Sequence, residues 1–265
     1  MDSSAPYHIE AVALSEVIIP NKVITKFLRG IYNKSITEGN IDPALWSRTY
    51  KQLFSSFQKG YGKSLAKIKY TSPDYEYLEQ LRYNTAVFSA FKQNEQIKEA
   101  ASLLVKDDGS ARTWKEFLGE AMKVDEKYNK VWLQTEYNQA HSTALQARRW
   151  RDAEKTRDLY PNLIFVAVMD NRTRESHAKL HGTILPINDP FWNKYSPPLD
   201  WGCRCQLRPS DKSPTVVPEK LPSVPNGMDV NAGKEAKIFS DNHPYIKGSS
   251  DRKNDLEKFV KTQLT

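Results

Sequence analysis

Two cysteines occur in the chain, Cys203 and Cys205, with a single residue between them. A disulfide across one residue closes a strained ring and ties no distant segments together. That excludes the stapled framework of a small secreted domain. In an extended segment residues two apart project to the same face, so both thiols would meet one neighbour, as two ligands of one metal ion do. Zinc takes about four nitrogen, sulfur or oxygen donors in a tetrahedron. His177 supplies a third donor, and either His181 or Asp200 a fourth. If residues 177–181 form a helical turn, the two imidazoles share a face. A structural zinc of this kind contributes on the order of 10 kcal/mol to folding. A second reading needs no ion: the thiols are small packed groups, the histidines hydrogen-bond locally, and C-x-C is a weaker signal than paired C-x-x-C knuckles. Both readings stand at the level of sequence.

Asp170 ends the apolar run Leu-Ile-Phe-Val-Ala-Val-Met over residues 163–169. A carboxylate there is placed to cap the following turn and to hold Thr173 or Arg172. Arg204, between the cysteines, can join that network from the opposite face. A structural role is favoured for Asp170, Arg172 and Arg204, because a catalytic base would need a partner nucleophile and none stands out. A zinc-dependent hydrolase, nuclease or peptidase, is the enzymatic alternative. His177 and His181 have the spacing of the H-E-x-x-H helix, but Ala178 stands where the glutamate belongs and Glu175 lies on the wrong side.

Arg148, Arg149, Arg151, Lys155 and Arg157 concentrate positive charge. They make either a stripe for DNA phosphates or an acidic partner, or a solvated face favoured near a helix C-terminus. Asp152, Glu154 and Asp158 dilute it. The net charge of +7 and pI near 9.1 favour contact with polyanions without requiring it. A stand-alone DNA-binding module is therefore a further alternative.

The elements that must position these groups are helical first and irregular later, an α+β pattern: a mainly helical N-terminal region, then a small loop-rich C-terminal domain with short strands. Val23, Phe27, Ile31 and Ser35 mark one helical face; Asp42-Pro43 opens a second helix carrying Trp46, Tyr50, Leu53 and Phe57. Leu78, Leu81, Thr85, Phe88 and Phe91 mark a third, and Thr113 with Glu116 forms a capping box ahead of Phe117 and Met122. The strongest helix is predicted over 125–158, with a seam of Leu133, Tyr137, Ala140, Ala144, Ala147 and Trp150. The run at 163–169 reads as a buried strand. Phe191, Trp192, Tyr195 and Trp201 are predicted to plug a loop-rich core. The expected divisions are 1–124, helical and of unknown role; 125–209, carrying the motifs; 210–230, a proline-rich linker or strap; and 231–265, an extension ending in a helix near 256–264.

The order D-x-R-T-R-x-x-H-x-x-L-x-G from Asp170, D-P-x-W from Asp189, and P-P-x-x-W-x-C-R-C from Pro197 resembles the signature of the phage Mu F-like minor head proteins and related head-morphogenesis proteins. The resemblance covers roughly residues 130–208, extends to His243-Pro244-Tyr245, and leaves the first 120 residues unmatched. Some members carry C-x-x-C in the first cluster and a histidine before C-R-C. Here Arg174 and His177 hold the first pair of positions, and Asp200 the later one. The resemblance implies a minor capsid protein of a tailed phage or prophage that acts by contact with the portal and other head proteins, with double-stranded DNA a further candidate partner, and without turnover. Its expected location is the host cytoplasm during assembly and then the head interior.

Composition agrees with that expectation without selecting it. The chain is 39% apolar and 27% charged, a balance of a globular protein, and its longest apolar run is too short to cross a bilayer. The first residues carry none of the basic stretch, apolar core and small-residue cleavage site of a secretory leader.

Overall fold

The computed structural model describes residues 19–265. The reading of the N-terminus as lacking a secretory leader falls on residues 1–18, outside the described residues. Ten α-helices and three strands are described: α1 (Asn21–Tyr32), α2 (Pro43–Tyr61), α3 (Pro73–Ser102), α4 (Trp114–Glu126), α5 (Leu133–Lys155), β1 (Asn162–Val166), α6 (Glu175–Ala178), β2 (Ile184–Pro186), α7 (Phe191–Tyr195), β3 (Gln206–Ser210), α8 (Ala232–Glu235), α9 (Pro244–Gly248) and α10 (Lys253–Leu264). The fold is α+β, as the sequence predicts. None of the described helices is long and apolar enough to cross a membrane.

The helix starts follow local chemistry. Asp42 accepts the Leu45 N–H at 2.8 Å, and Pro43 takes the first helical position, where no N–H is needed. Ser72 and Pro73 repeat the device at α3. Thr113 and Glu116 form both arms of the capping box at α4. α2 stops at Gly62, whose φ of 73° is the left-handed value glycine adopts without strain.

Two expectations change in detail. The helix predicted over 125–158 is not one α-helix with a start at Asp125: α4 runs into a π-helical turn, Lys127–Trp132, and α5 follows without a break. The strand predicted over 163–169 ends at Val166, because the Ala167 N–H turns to the His181 ring and Val168 and Met169 face solvent.

A larger core gathers α1 to α5 with residues 228–260. α5 lies against α2 along Ala140, Ala144 and Ala147, all within 1% of full burial. The approach is so close that a Cβ on Gly60 would stand 2.3 Å from the His141 carbonyl oxygen, and the Ser56 hydroxyl donates to the Tyr137 carbonyl at 2.6 Å. The late segment packs back across α3. Phe239 stacks on Phe88 at 4.6 Å, Tyr77 donates to the Ala232 carbonyl, and the Asn94 amide donates to Ser249. Each large apolar side chain so buried contributes about 1.5–3 kcal/mol.

The second core is smaller. β2, β1 and β3 form an antiparallel sheet in that order, with Leu163 opposite both Leu185 and Pro209. Trp150 and Ala153, from the last turns of α5, pack on it with Leu163, Phe165, Leu180, Trp192, Leu199, Cys203, Cys205 and Leu207. Trp192 is fully buried and donates from its indole to the Pro186 carbonyl at 2.9 Å. Phe191 and Tyr195 stack at 4.7 Å against this core, whereas Trp201 leans towards the larger one and meets Phe239. The chain after β3 stays pinned to the sheet, with the Thr215 N–H donating to the Ile184 carbonyl.

Candidate metal and motif centre

The motif clusters meet where the chain leaves β1 and where it enters β3. The short helix α6 turns His177 inward, leaving 3% of it exposed. Alternation along the segment before β3 sends Cys203 and Cys205 to the same side, 4% and 3% exposed, and Arg204 to the other. The His177 Nδ1 lies 3.6 Å from the Cys203 Sγ and 4.0 Å from the Cys205 Sγ. Donor atoms of all three lie within 4.8 Å of one another. Bond lengths of about 2.1 Å to nitrogen and 2.3 Å to sulfur make the N···S edge of a zinc tetrahedron about 3.6 Å, so the spacing fits a shared ion.

The two thiols are not equivalent. The hydrogen bond from Cys205 lowers Cys203 well below the ordinary thiol value, with His177 adding to it against the burial that raises it. The same bond and burial push Cys205 up.

The two sequence candidates for a fourth ligand are used elsewhere. His181 is exposed, and its Nδ1 accepts the Ala167 N–H at 3.2 Å, which pins the end of β1. Asp200 pairs with Arg174 at 3.1 Å and accepts the Trp201 N–H at 2.7 Å. Neither joins the His177, Cys203, Cys205 group found among the described residues.

Over this buried group lies a charged stitch. Arg204 grips Asp170 through both terminal nitrogens, at 2.7 and 2.5 Å, a bidentate fork. Asp170 also accepts from the Thr173 hydroxyl at 3.2 Å and from the Arg172 backbone N–H at 3.1 Å. Arg172 thus enters the network by its main chain. The Val168 carbonyl is an alternative acceptor for the single Thr173 hydroxyl proton. Arg204 holds the Asp170 carboxyl far below the usual carboxylate range. Beside this fork, Arg174 bonds both Asp200 and the Trp201 carbonyl. The first and third motif clusters are therefore tied twice at the surface and a third time, below it, by the histidine and thiols.

The basic stripe is largely engaged with its own chain. Arg151 bonds Asp74 at 3.3 Å and the Pro73 carbonyl at 3.1 Å, and lies over the Tyr77 ring at 4.5 Å. Arg148 reaches Asp152 and the Tyr61 carbonyl, Lys155 pairs with Asp152, and Arg157 stands 4.0 Å from Asp158. Arg149 also has an intramolecular partner. This pairing favours the solvated-face reading over a phosphate stripe.

Sequence reasoning missed a buried polar array. The Lys92 ammonium donates to both Glu136 oxygens at 2.8 and 2.7 Å, and the Tyr245 hydroxyl donates to Glu136 at 2.8 Å. Burial pulls Lys92 down and pushes Glu136 up, and their mutual contact opposes both shifts. His243 stands 4.6 Å from Tyr245, ring to ring, and burial lowers it to about 3, with Lys92 adding to the effect. The one available signal was Lys92 itself, four residues after Phe88 and so on an apolar helical face.

With this geometry in place, comparison with known proteins is decisive for residues 81–208, which match the family described as "Phage Mu protein F like protein". Residues 81–208 are therefore similar to the Mu F-like proteins. The match begins within α3, well upstream of residue 130, so the resemblance reaches into the first 120 residues that the motifs alone left unmatched. His243-Pro244-Tyr245 lies beyond it. "Putative capsid assembly protein F" of Escherichia phage Mu is 46% identical over 76 residues, 29% of this chain and 17% of that protein. "Mu-like prophage FluMu F protein" of Haemophilus influenzae is 46% identical over 65 residues, 24% of this chain and 16% of that protein. The matched segment thus spans less than a fifth of either relative's length. No solved structure matches the chain. Within the matched segment lie the buried His177, Cys203 and Cys205, both arginine–aspartate ties, and the Lys92–Glu136 pair.

Proposed function

We propose that this protein is a capsid assembly component of a tailed phage or prophage, acting through contacts with the portal and other head proteins and not through turnover. The observation that carries the reading is the 46% identity to the phage Mu protein named for capsid assembly. The site chemistry supports it. Asp170, the best-placed base, is closed in a bidentate ion pair with Arg204, and a general base needs an open lone pair at the operating pH. The expected places of action are the host cytoplasm during assembly and the head interior afterwards.

The reading extends to the ion. His177, Cys203 and Cys205 would supply three of the four donors of a zinc ion, whose binding would add folding free energy and a cross-link between the motif clusters. No catalytic step is assigned to it.

The test is complementation of a phage lacking the corresponding gene, with purified heads probed for the protein. Wild type should enter heads, and a folded variant with the Arg204–Asp170 pair replaced by a neutral pair should enter them too. A folded, soluble wild-type chain that never associates with heads, or that cleaves a nucleic acid or peptide, overturns the proposal.

A further inference from the structure

The π-helical turn Lys127–Trp132 interrupts an otherwise continuous helix. Such turns are rare and collect at functional sites. This one leaves Val131 58% and Trp132 37% exposed. Trp132 stands at the mouth of a cavity of about 340 Å³, whose walls include Trp201, His243 and Tyr245, with Glu136 inside. The volume lies at the small end of ligand sites, which run from roughly 300 to 1,000 Å³. The aromatic walls are packed into place: Trp132 lies 6.1 Å from Tyr245 and 4.8 Å from Tyr128, ring to ring.

The polar groups narrow the chemistry. His243 Nδ1 accepts the Tyr245 N–H at 3.3 Å, so the ring proton of the neutral imidazole sits on Nε2, a hydrogen-bond donor. Glu136 is already held by Lys92, whose ammonium also lies 5.3 Å from the Tyr245 ring. Glu136, the one charged side chain in the wall, is thus already neutralised, so a second cation would find no net negative charge to add to the attraction of the aromatic walls. Lys127 and Lys130 beside the mouth pair with Glu99 and Glu126, which leaves little to draw in a phosphate.

We propose that this cavity is a socket for one aromatic side chain of a partner polypeptide, with His243 Nε2–H donating to an oxygen of that partner. Aromatic anchors in desolvated pockets dominate the energetics of protein interfaces. The proposal stands on the cavity itself; under the capsid reading, the partner is another head protein.

The test uses the full chain and small probes, followed by NMR on the indole N–H signals of Trp132 and Trp201. N-acetyl-tyrosine amide should shift both signals saturably in the millimolar range, as befits so small a ligand. Thr135→Arg, at an exposed position on the cavity rim, should weaken that binding by about tenfold or more with an unchanged melting temperature. Trp132→Ala, read at Trp201, should do the same. Absence of a saturable shift in wild type, or equal binding by a folded Thr135→Arg variant, overturns the proposal. So does stronger binding of N-acetyl-lysine amide or of an oligothymidylate. Tyr70 is the most exposed aromatic side chain among the described residues, at 82%; self-association of the chain that Tyr70→Ala abolishes would make the occupant a second copy, and would also overturn the proposal.

Discussion

Arg204 and Asp170 lie 34 positions apart in the chain and join nitrogen to oxygen in parallel, at 2.7 and 2.5 Å. The residues on either side of that arginine are the two buried thiols. One strand-like alternation therefore gives the C-R-C motif two duties: its sulfurs face His177, and its guanidinium locks the turn after β1. Loss of the guanidinium would free the turn that presents His177.

Asp170→Asn should unfold at a lower temperature than wild type at neutral pH while keeping its helical circular dichroism. Folding lowers the Asp170 carboxyl below its unfolded value, so the pair's contribution is complete above about pH 4 and is lost as the pH falls towards the folded value. The gap between the two melting temperatures should close on acidification. A gap that widens instead would contradict the assigned role.

Cys203→Ser and Cys205→Ser should each abolish bound zinc, read by elemental analysis of the purified chain, and a chelator should lower the melting temperature of wild type but of neither variant. His177→Ala should behave as the cysteine variants do. Equal metal content in wild type and the double cysteine variant would remove the ion from the account.

The Lys92–Glu136 pair makes a prediction about the other core. Removal of one partner leaves a buried charge without compensation, which costs about 3–5 kcal/mol. Lys92→Met should therefore be strongly destabilising in urea titrations. Combining it with Glu136→Gln should recover most of the loss, because the glutamine still accepts the Tyr245 hydroxyl. Additive losses in the double variant would show that the two side chains do not act as a pair.

Asp74 should mark a second acid-sensitive point. Burial raises its carboxyl, but hydrogen bonds from Lys63, Tyr61 and Arg151 outweigh that and bring it down to about 2. Its contribution should be intact above about pH 4 and lost between there and about pH 2. Arg151→Ala should weaken the fold at neutral pH, whereas Arg157→Ala, whose side chain is 70% exposed, should leave it within about 0.5 kcal/mol. Matching losses in the two variants would restore the idea of a uniform basic stripe.

Gly60→Ala should disrupt the contact of α2 with α5. The added carbon would overlap a backbone oxygen, not a yielding side chain, and overpacking of this kind costs about 1–3 kcal/mol or more. A variant as stable as wild type would mean that the two helices are not held at this distance.

Much of this architecture was legible because the signals are local. Asp42 before Pro43, Thr113 before Glu116, and the alanine seam from Ala140 to Ala147 each announce a helix start or face within a few residues. The motif order brought His177 and the cysteines to one place on paper, and they share one place in the fold. The π-turn was not legible: Lys127–Trp132 carries residues that continue an α-helix equally well, so nothing local marks the wider turn. The roles of His181 and Asp200 were hidden for a similar reason. Spacing places a donor near a site, but the competing partners, the Ala167 N–H and Arg174, come from other turns of the chain. Lys92 with Glu136, 44 residues apart, needed the fold itself.

The return of residues 228–260 onto α3 fixes an order of events during synthesis. When α2, α3 and α5 have left the ribosome, Phe88 still lacks Phe239 and Tyr77 lacks the Ala232 carbonyl that accepts its hydroxyl proton. The helices can gather early, but their shared interior stays open to water until residues 228–260 arrive. The sheet core, assembled from residues 150–207, is free to close sooner. The helical core, begun before the sheet core, is thus sealed after it, and in the interval its apolar faces stay open to wrong partners.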